Sequence, residues 1–307
     1  MTMSRRQFIR SSACAALVGG SVGWASRRGV AAQSSPKSAS LRVESRFKDL
    51  ERSAEGRLGV HILDTSTGEA FGYRSDERFM MLSSFKLLAS ALVLHRVDAG
   101  QDSLDRRIAF RRDDLISWSP VTEKQADGPG MTLAELCAAT ITTSDNTAAN
   151  LILASYGGPP ALTAYARQLG DIVTRLDRIE PDLNMRQANG LLDTTSPRAM
   201  AHTIQSVVLG AALSTQSRER LQQWLLGNTT GGKRLKAGIP PDWRIGDKTG
   251  TNQTDANDIG IIWPENRAPI VVTAYLAESS ASKEVKDSTL AACGRIVSEI
   301  AGRASPS

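Results

Sequence analysis

Four short stretches hold side chains that could do chemistry. In Ser83-Ser84-Phe85-Lys86 a hydroxyl stands three residues before an amine. An apolar helical pattern starts there with Phe85, Leu87, Leu88, Ala91, Leu92 and Leu94. Residues three apart share a helix face. Ser83 and Lys86 therefore point the same way, at a helix start whose unpaired backbone N–H groups stabilise negative charge. A serine becomes a nucleophile when a base takes its proton, and a lysine is such a base only while burial or a neighbouring positive charge keeps it neutral. Ser144-Asp145-Asn146 puts a hydroxyl and an amide in one short loop between helices. It can relay a proton and hold an amide, or simply cap a helix. Glu180-Pro181-Asp182-Leu183-Asn184 lies in a loop of about fifteen residues, a length that tends to be functional. A carboxylate with an amide four residues on can grip one water, and that water could hydrolyse an ester on Ser83. Lys248-Thr249-Gly250 reads as part of a strand: the lysine supplies charge, and the glycine lets a substrate approach the backbone.

The elements that must carry these stretches follow from periodicity. Residues 33–40 are rich in Ser and Pro and read as a linker. A charged amphipathic helix spans Leu41 to Glu55. Arg57 to Asp64 alternates as a strand, turns at Thr65-Ser66-Thr67-Gly68, and returns over Glu69 to Arg74. A helical region then runs from Ser83 through Thr132–Thr140, Asn146–Tyr156, Pro159–Leu169, Ser196–Leu209 and Ser214–Leu226, with capping residues at the starts. Beyond Pro240-Pro241 the period returns to two over Trp243–Thr249, Asn257–Trp263 and Pro269–Ala277, and Ser282–Ala301 closes the chain as a helix. The expected fold is α/β: an all-helical subdomain inserted into an α/β subdomain with an antiparallel sheet. One domain over 41–303 is expected, its α/β part about 41–77 and 228–303 and its helical part about 78–227. A cleft forms where the two parts meet.

The net charge of +5 comes from the N-terminus. Residues 1–32 hold Arg5, Arg6, Arg10, Arg27 and Arg28 and no acid; the rest carries 32 basic and 32 acidic residues. A neutral mature chain gives no basis for a nucleic-acid or anionic-membrane partner. Ser4-Arg5-Arg6-Gln7-Phe8-Ile9-Arg10, followed by an apolar stretch over Ala13–Val22 and small residues at Val30-Ala31-Ala32, reads as a twin-arginine export signal cut near Ala32. Residues 1–32 are thus a signal peptide, and the site of action is periplasmic or secreted. Cys14 lacks the flanking pattern of a lipid anchor. His61, His95 and His202 are far apart and lack metal-ligand spacing. No metal or other cofactor is expected.

Ser-x-x-Lys, Ser-Asp-Asn and Lys-Thr-Gly in that order resemble the penicillin-recognising serine enzymes, and the Glu-Pro-Asp-Leu-Asn stretch between the last two resembles the class A β-lactamases. The resemblance spans about residues 41–303 and implies hydrolysis of penicillins and cephalosporins through a serine ester, by a monomer acting on a small-molecule substrate. By resemblance Ser83 is acylated, and Lys86 and Glu180 are the proton acceptors; which of them activates Ser83 is disputed in the family. Glu180 is the base for the deacylating water, shared with Asn184. Ser144 passes a proton to the leaving nitrogen, and Asn146 holds the substrate side-chain amide. Lys248, Thr249, Thr251 and Arg234 hold its carboxylate. The backbone N–H groups of Ser83 and Thr251 form the oxyanion hole. Lys248 should depress the pKa of Lys86 and Glu180 should raise it. Arg178 and Asp193 tie the ends of the Glu180 loop, and the Glu180–Pro181 bond is cis. Trp118 is the aromatic gatekeeper, or else part of the core.

Three departures from the family pattern bear on substrate range or on disulfides. Asn252 stands where many relatives have glycine, and the stretch to Asn257-Asp258-Ile259 is about one residue shorter. Ser90 occupies the position that would pair with Cys137 in disulfide-bearing members. Leu82 and Asn252 replace the cysteine pair of the carbapenemases. No disulfide and no dedicated carbapenemase are expected. Two alternatives share part of the pattern: a D,D-peptidase, which usually lacks Glu180 and Asn184, and a penicillin sensor, which stays acylated.

Overall fold

The alternation of Leu58, Val60 and Ile62 produces a strand whose two faces are both buried. The structure, a computed structural model, describes residues 36–303. The twin-arginine stretch, Cys14 and the cleavage position lie outside them. In chain order the elements begin with α1 (Pro36–Ser53), β1 (Arg57–Asp64), β2 (Ala70–Tyr73), β3 (Phe79–Met80), α2 (Phe85–Asp98), β4 (Arg107–Ile108) and β5 (Met131–Thr132). The middle holds α3 (Leu133–Thr142), α4 (Asn146–Ser155), α5 (Pro159–Gln168), β6 (Thr194–Thr195), α6 (Pro197–Val208) and α7 (Thr215–Leu226). Then come α8 (Leu235–Gly238), β7 (Arg244–Thr251), β8 (Ala256–Trp263), β9 (Ile270–Ala277) and α9 (Lys283–Arg303).

The main sheet has the order β2-β1-β9-β8-β7 and every neighbouring pair is antiparallel. The helical segment therefore leaves the sheet after one edge strand, β2, and returns into the opposite edge strand, β7. One sheet face, with Leu58, Val60 and Ile62, packs on Val43 and Phe47 of α1 and on Leu290, Cys293 and Ile296 of α9. The other face joins a larger core with the helical part, through Leu63, Ile259, Val271 and Tyr275. Each such aliphatic side chain removed from water contributes roughly 2 kcal/mol. Inside the helical part runs α2, packed against α3, α4, α5 and α7. Its residues from Phe85 to Leu94 are all buried, as expected of a helix apolar on every side, and Lys86 is among them.

Two expectations need correction. α1 begins at Pro36 rather than Leu41, so part of the stretch read as a linker is helical; proline is well suited to a first helical turn. Ser83 is not in the α-helix. It sits in a 3₁₀ turn, Leu82–Ser84, that leads into α2 at Phe85. The conclusion drawn from the spacing survives, because residues three apart also align in a 3₁₀ turn. Cys137 and Cys293 are free and buried, in the helical core and in the α1–α9 core respectively. Burial pushes both thiols up to about 12, opposed at Cys137 by the adjacent Ser90 hydroxyl.

Candidate active site

Close backbone packing brings Ser83 to the edge of the sheet. A Cβ on Gly250 would lie 2.9 Å from the Met81 carbonyl oxygen and 3.0 Å from the Leu82 side chain. The glycine of Lys-Thr-Gly is thus required by the turn that carries Ser83, a reason its motif alone does not reveal. Asn257 of β8 fastens the same segment by donating to the carbonyls of Met80 (2.9 Å) and Met81 (3.1 Å). Leu82, Trp118, Ser144 and Asp193 all hold positive φ, between 49° and 62°. Such non-glycine conformations cost about 1–3 kcal/mol each and cluster where geometry is functionally constrained.

Within this frame one carboxylate is the meeting point. Ser83 Oγ donates to Glu180 Oε1 at 3.2 Å, and Lys86 Nζ lies 3.1 Å from the same oxygen. The second oxygen, Oε2, accepts from Asn184 Nδ2 at 2.5 Å. Lys86 Nζ also donates to the Ser144 carbonyl (2.8 Å) and to Asn146 Oδ1 (2.6 Å). Together with Glu180 and, more distantly, Ser144 Oγ at 3.4 Å, those two acceptors surround the ammonium. Lys248 Nζ donates to Ser144 Oγ at 3.0 Å and to the Thr249 carbonyl at 2.8 Å. Since Ser144 Oγ accepts from Lys248, its own proton is free to be donated elsewhere.

Lys86, Lys248 and Glu180 are almost fully buried. Burial pulls Lys86 below its ordinary value, and the Glu180 charge opposes that. Lys248 is pulled well below, by burial first and then by the positive charge of Lys86, against Asp247, Glu180 and Asp258. Both amines are thus lowered, as expected for two buried cations that face one another. Behind Lys248, burial and the Asp247 charge push Asp258 well up.

The Glu180 loop is pinned at its neck. Arg178 Nε donates to Asp193 Oδ2 at 2.7 Å, and the backbone N–H groups of Asp177 and Arg178 donate to Asp193 Oδ1. Met81 N–H donates to the Asp193 carbonyl, joining the neck to the Ser83 turn. The Glu180–Pro181 bond is cis. Asn150 was not singled out from sequence, yet its side chain brackets the Glu180 backbone: Oδ1 accepts from Glu180 N–H (3.0 Å) and Nδ2 donates to Glu180 C=O (2.9 Å). It follows Asn146 by four residues on α4, a spacing that puts both on one face.

Above Ser83 lies a cleft of about 810 Å³, lined by Ser83, Trp118, Ser144, Asn146, Asn184, Arg234, Thr249, Gly250 and Thr251, among others. Trp118 is 65 % exposed at its rim, which overturns the core-packing alternative. Its indole N–H donates to the Thr143 carbonyl. Asp145, the N-cap of α4, also accepts from the backbone N–H groups of Val121 and Thr122, fixing the loop that carries Trp118 to the Ser144 loop. Arg234 is buried and its fork is committed: to Asp287 (2.8 Å), to the carbonyls of Gly250 and Asn257, and through Nη2 to Thr251 Oγ1 (2.7 Å). It meets the cleft chiefly through Thr251, whose hydroxyl accepts from it and keeps its own proton for a ligand.

A profile described as the "Beta-lactamase enzyme family" matches residues 42–302. β-Lactamase L2 of Stenotrophomonas maltophilia is 45 % identical over 303 residues, covering 98 % of this chain and 100 % of its own. β-Lactamase Toho-1 of Escherichia coli is 44 % identical, over 83 % of this chain and 88 % of its own. Among solved structures, an ancestral class A β-lactamase superposes with a TM-score of 0.83 at 55 % identity, over 84 % of this chain and 99 % of its own. The chain belongs to the class A β-lactamases. This β-lactamase hydrolyses the β-lactam amide bond through a serine ester and so confers resistance. That kinship sets aside the D,D-peptidase and the penicillin sensor. The putative class A β-lactamase PenP of Rhodopseudomonas palustris gives a further match, at 52 % identity and a TM-score of 0.82, over 85 % of this chain and 99 % of its own.

Proposed function

We propose that Ser83 is the acylated nucleophile and that Glu180, with Asn184, holds the water that releases the acyl group. The observation that carries this reading is the division of one buried carboxylate: Oε1 faces Ser83 and Lys86, while Oε2 is held by Asn184. Lys86 takes part in activating Ser83 and Ser144 protonates the departing nitrogen. The backbone N–H groups of Ser83 and Thr251 cradle the oxyanion. Lys248, Thr249 and Thr251 bind the substrate carboxylate, with Arg234 polarising Thr251; Asn146 holds the side-chain amide and Trp118 borders the cleft mouth. Arg178 and Asp193 maintain the loop.

The substrates of this reading are penicillins and cephalosporins, with the Thr251 hydroxyl favouring the latter. Steady-state hydrolysis of a penicillin, a cephalosporin and a carbapenem tests it. Both of the first two should turn over to completion, while the carbapenem should persist as an adduct on Ser83. Carbapenem turnover as fast as penicillin turnover would contradict the assignment. The mature chain acts as a monomer outside the cytoplasm after twin-arginine export. Replacing Arg5 and Arg6 together by lysine should leave active enzyme in the cytoplasm; unchanged export would refute that route.

A further inference from the structure

The Glu180 loop is held at its middle as well as at its neck, and the holder is the turn between β7 and β8. Asn252 Nδ2 donates to the Asn184 carbonyl at 3.1 Å. The Asn252 side chain is itself fixed, since its Oδ1 accepts from the backbone N–H groups of Thr254 (3.0 Å) and Asp255 (2.7 Å). One residue pair on, Arg186 Nη2 donates to Asp255 Oδ2 at 2.6 Å, and its Nη1 lies 3.1 Å from Glu278 Oε1. Asp255 is buried, and its other oxygen accepts from Glu278 N–H and Thr254 Oγ1. Asn184 thus stands between two anchors. Its side chain holds Glu180 Oε2, and its backbone is held by the turn.

We propose that this strap is a positioning device for deacylation. Asn252 and the Arg186–Asp255 pair keep Asn184 in place against Glu180, so the turn governs the water step and leaves ester formation alone. The chemistry favours that split. Ser83 is held in the turn ahead of α2, Lys86 by Ser144 and Asn146, and Oε1 meets both of them, whereas Oε2 is held by Asn184. A shift of about 1 Å in a positioning group can cost two orders of magnitude in rate; release of one of two straps should cost less, about 10-fold.

The inference rests on the reading that Glu180 and Asn184 hold the hydrolytic water, and the experiment separates the two. Acylation by benzylpenicillin is followed by stopped flow, and adduct decay by intact-protein mass spectrometry. The enzymes are the wild type, Asn252→Ala, Arg186→Met, Arg186→Lys and Glu180→Ala, each checked for folding by its thermal midpoint. Asn252→Ala and Arg186→Met should slow adduct decay about 10-fold with acylation within about twofold of wild type, and Arg186→Lys should recover most of the loss. If Glu180→Ala accumulates adduct while both strap variants decay at the wild-type rate, the strap has no positioning role. Equal losses in acylation and decay would assign it to general stability and overturn the inference. If Glu180→Ala turns over without accumulating adduct, the underlying reading of Glu180 fails instead.

Discussion

Glu180→Ala should acylate and then stall, with turnover lower by about 10³-fold, the range of a lost general base. Two features make the effect so one-sided. On the proposed reading the carboxylate is the base of the water step, and with it goes the partner of Asn184 Nδ2. Acylation persists because Lys86 stays in place. Its ammonium is held by the Ser144 carbonyl and Asn146 Oδ1 as well as by Glu180. Burial lowers its pKa and the Glu180 charge is the chief influence raising it. Without that charge Lys86 becomes neutral more readily, the form in which an amine can act as a base. Quenched intact-mass spectra should show the penicilloyl mass on nearly all of the variant, on the peptide containing Ser83. A free enzyme spectrum during substrate excess would contradict this.

Lys86→Ala should give the opposite phenotype. Its removal leaves the buried Glu180 carboxylate without its cation and two carbonyl oxygens without a donor. An uncompensated buried charge is strongly unfavourable, and Ser83 loses the amine that takes part in its activation. Lys248 does not replace Lys86, because its ammonium is committed to Ser144 Oγ and the Thr249 carbonyl. The acylation rate should fall by about 10³-fold or more, with no adduct accumulating. Single-turnover kinetics measure that rate directly.

Much of this arrangement was legible in the sequence, because each motif sits at an element boundary where local pattern is strongest. Ser83 precedes α2, Ser144 lies in the loop between α3 and α4, and Lys248 lies near the end of β7. What stayed hidden is long-range. Gly250 is explained by Met81 and Leu82 on a different segment. Arg234 looked like a free ligand for carboxylate, and its partners Asp287, Asn257 and Thr251 are brought to it only by the folded sheet and α9. The alternation of β1 identified the strand but could not say that its second face is covered too, since of Arg57, Gly59, His61 and Leu63 on that face only Leu63 is a large apolar residue. Asn150 and the Asn252–Asn184 contact join residues 30 or more positions apart, for which no local period exists.

The most direct measurement compares Glu180→Ala and Lys86→Ala side by side, by acid-quenched intact-mass spectrometry within the first seconds after mixing with excess benzylpenicillin. Glu180 as the base of the water step and Lys86 as the partner of the serine predict a fully acylated first variant and an unmodified second one. An unmodified Glu180→Ala that still clears substrate, or a Lys86→Ala acylated as fast as the wild type, would contradict the division of labour on which the site is built.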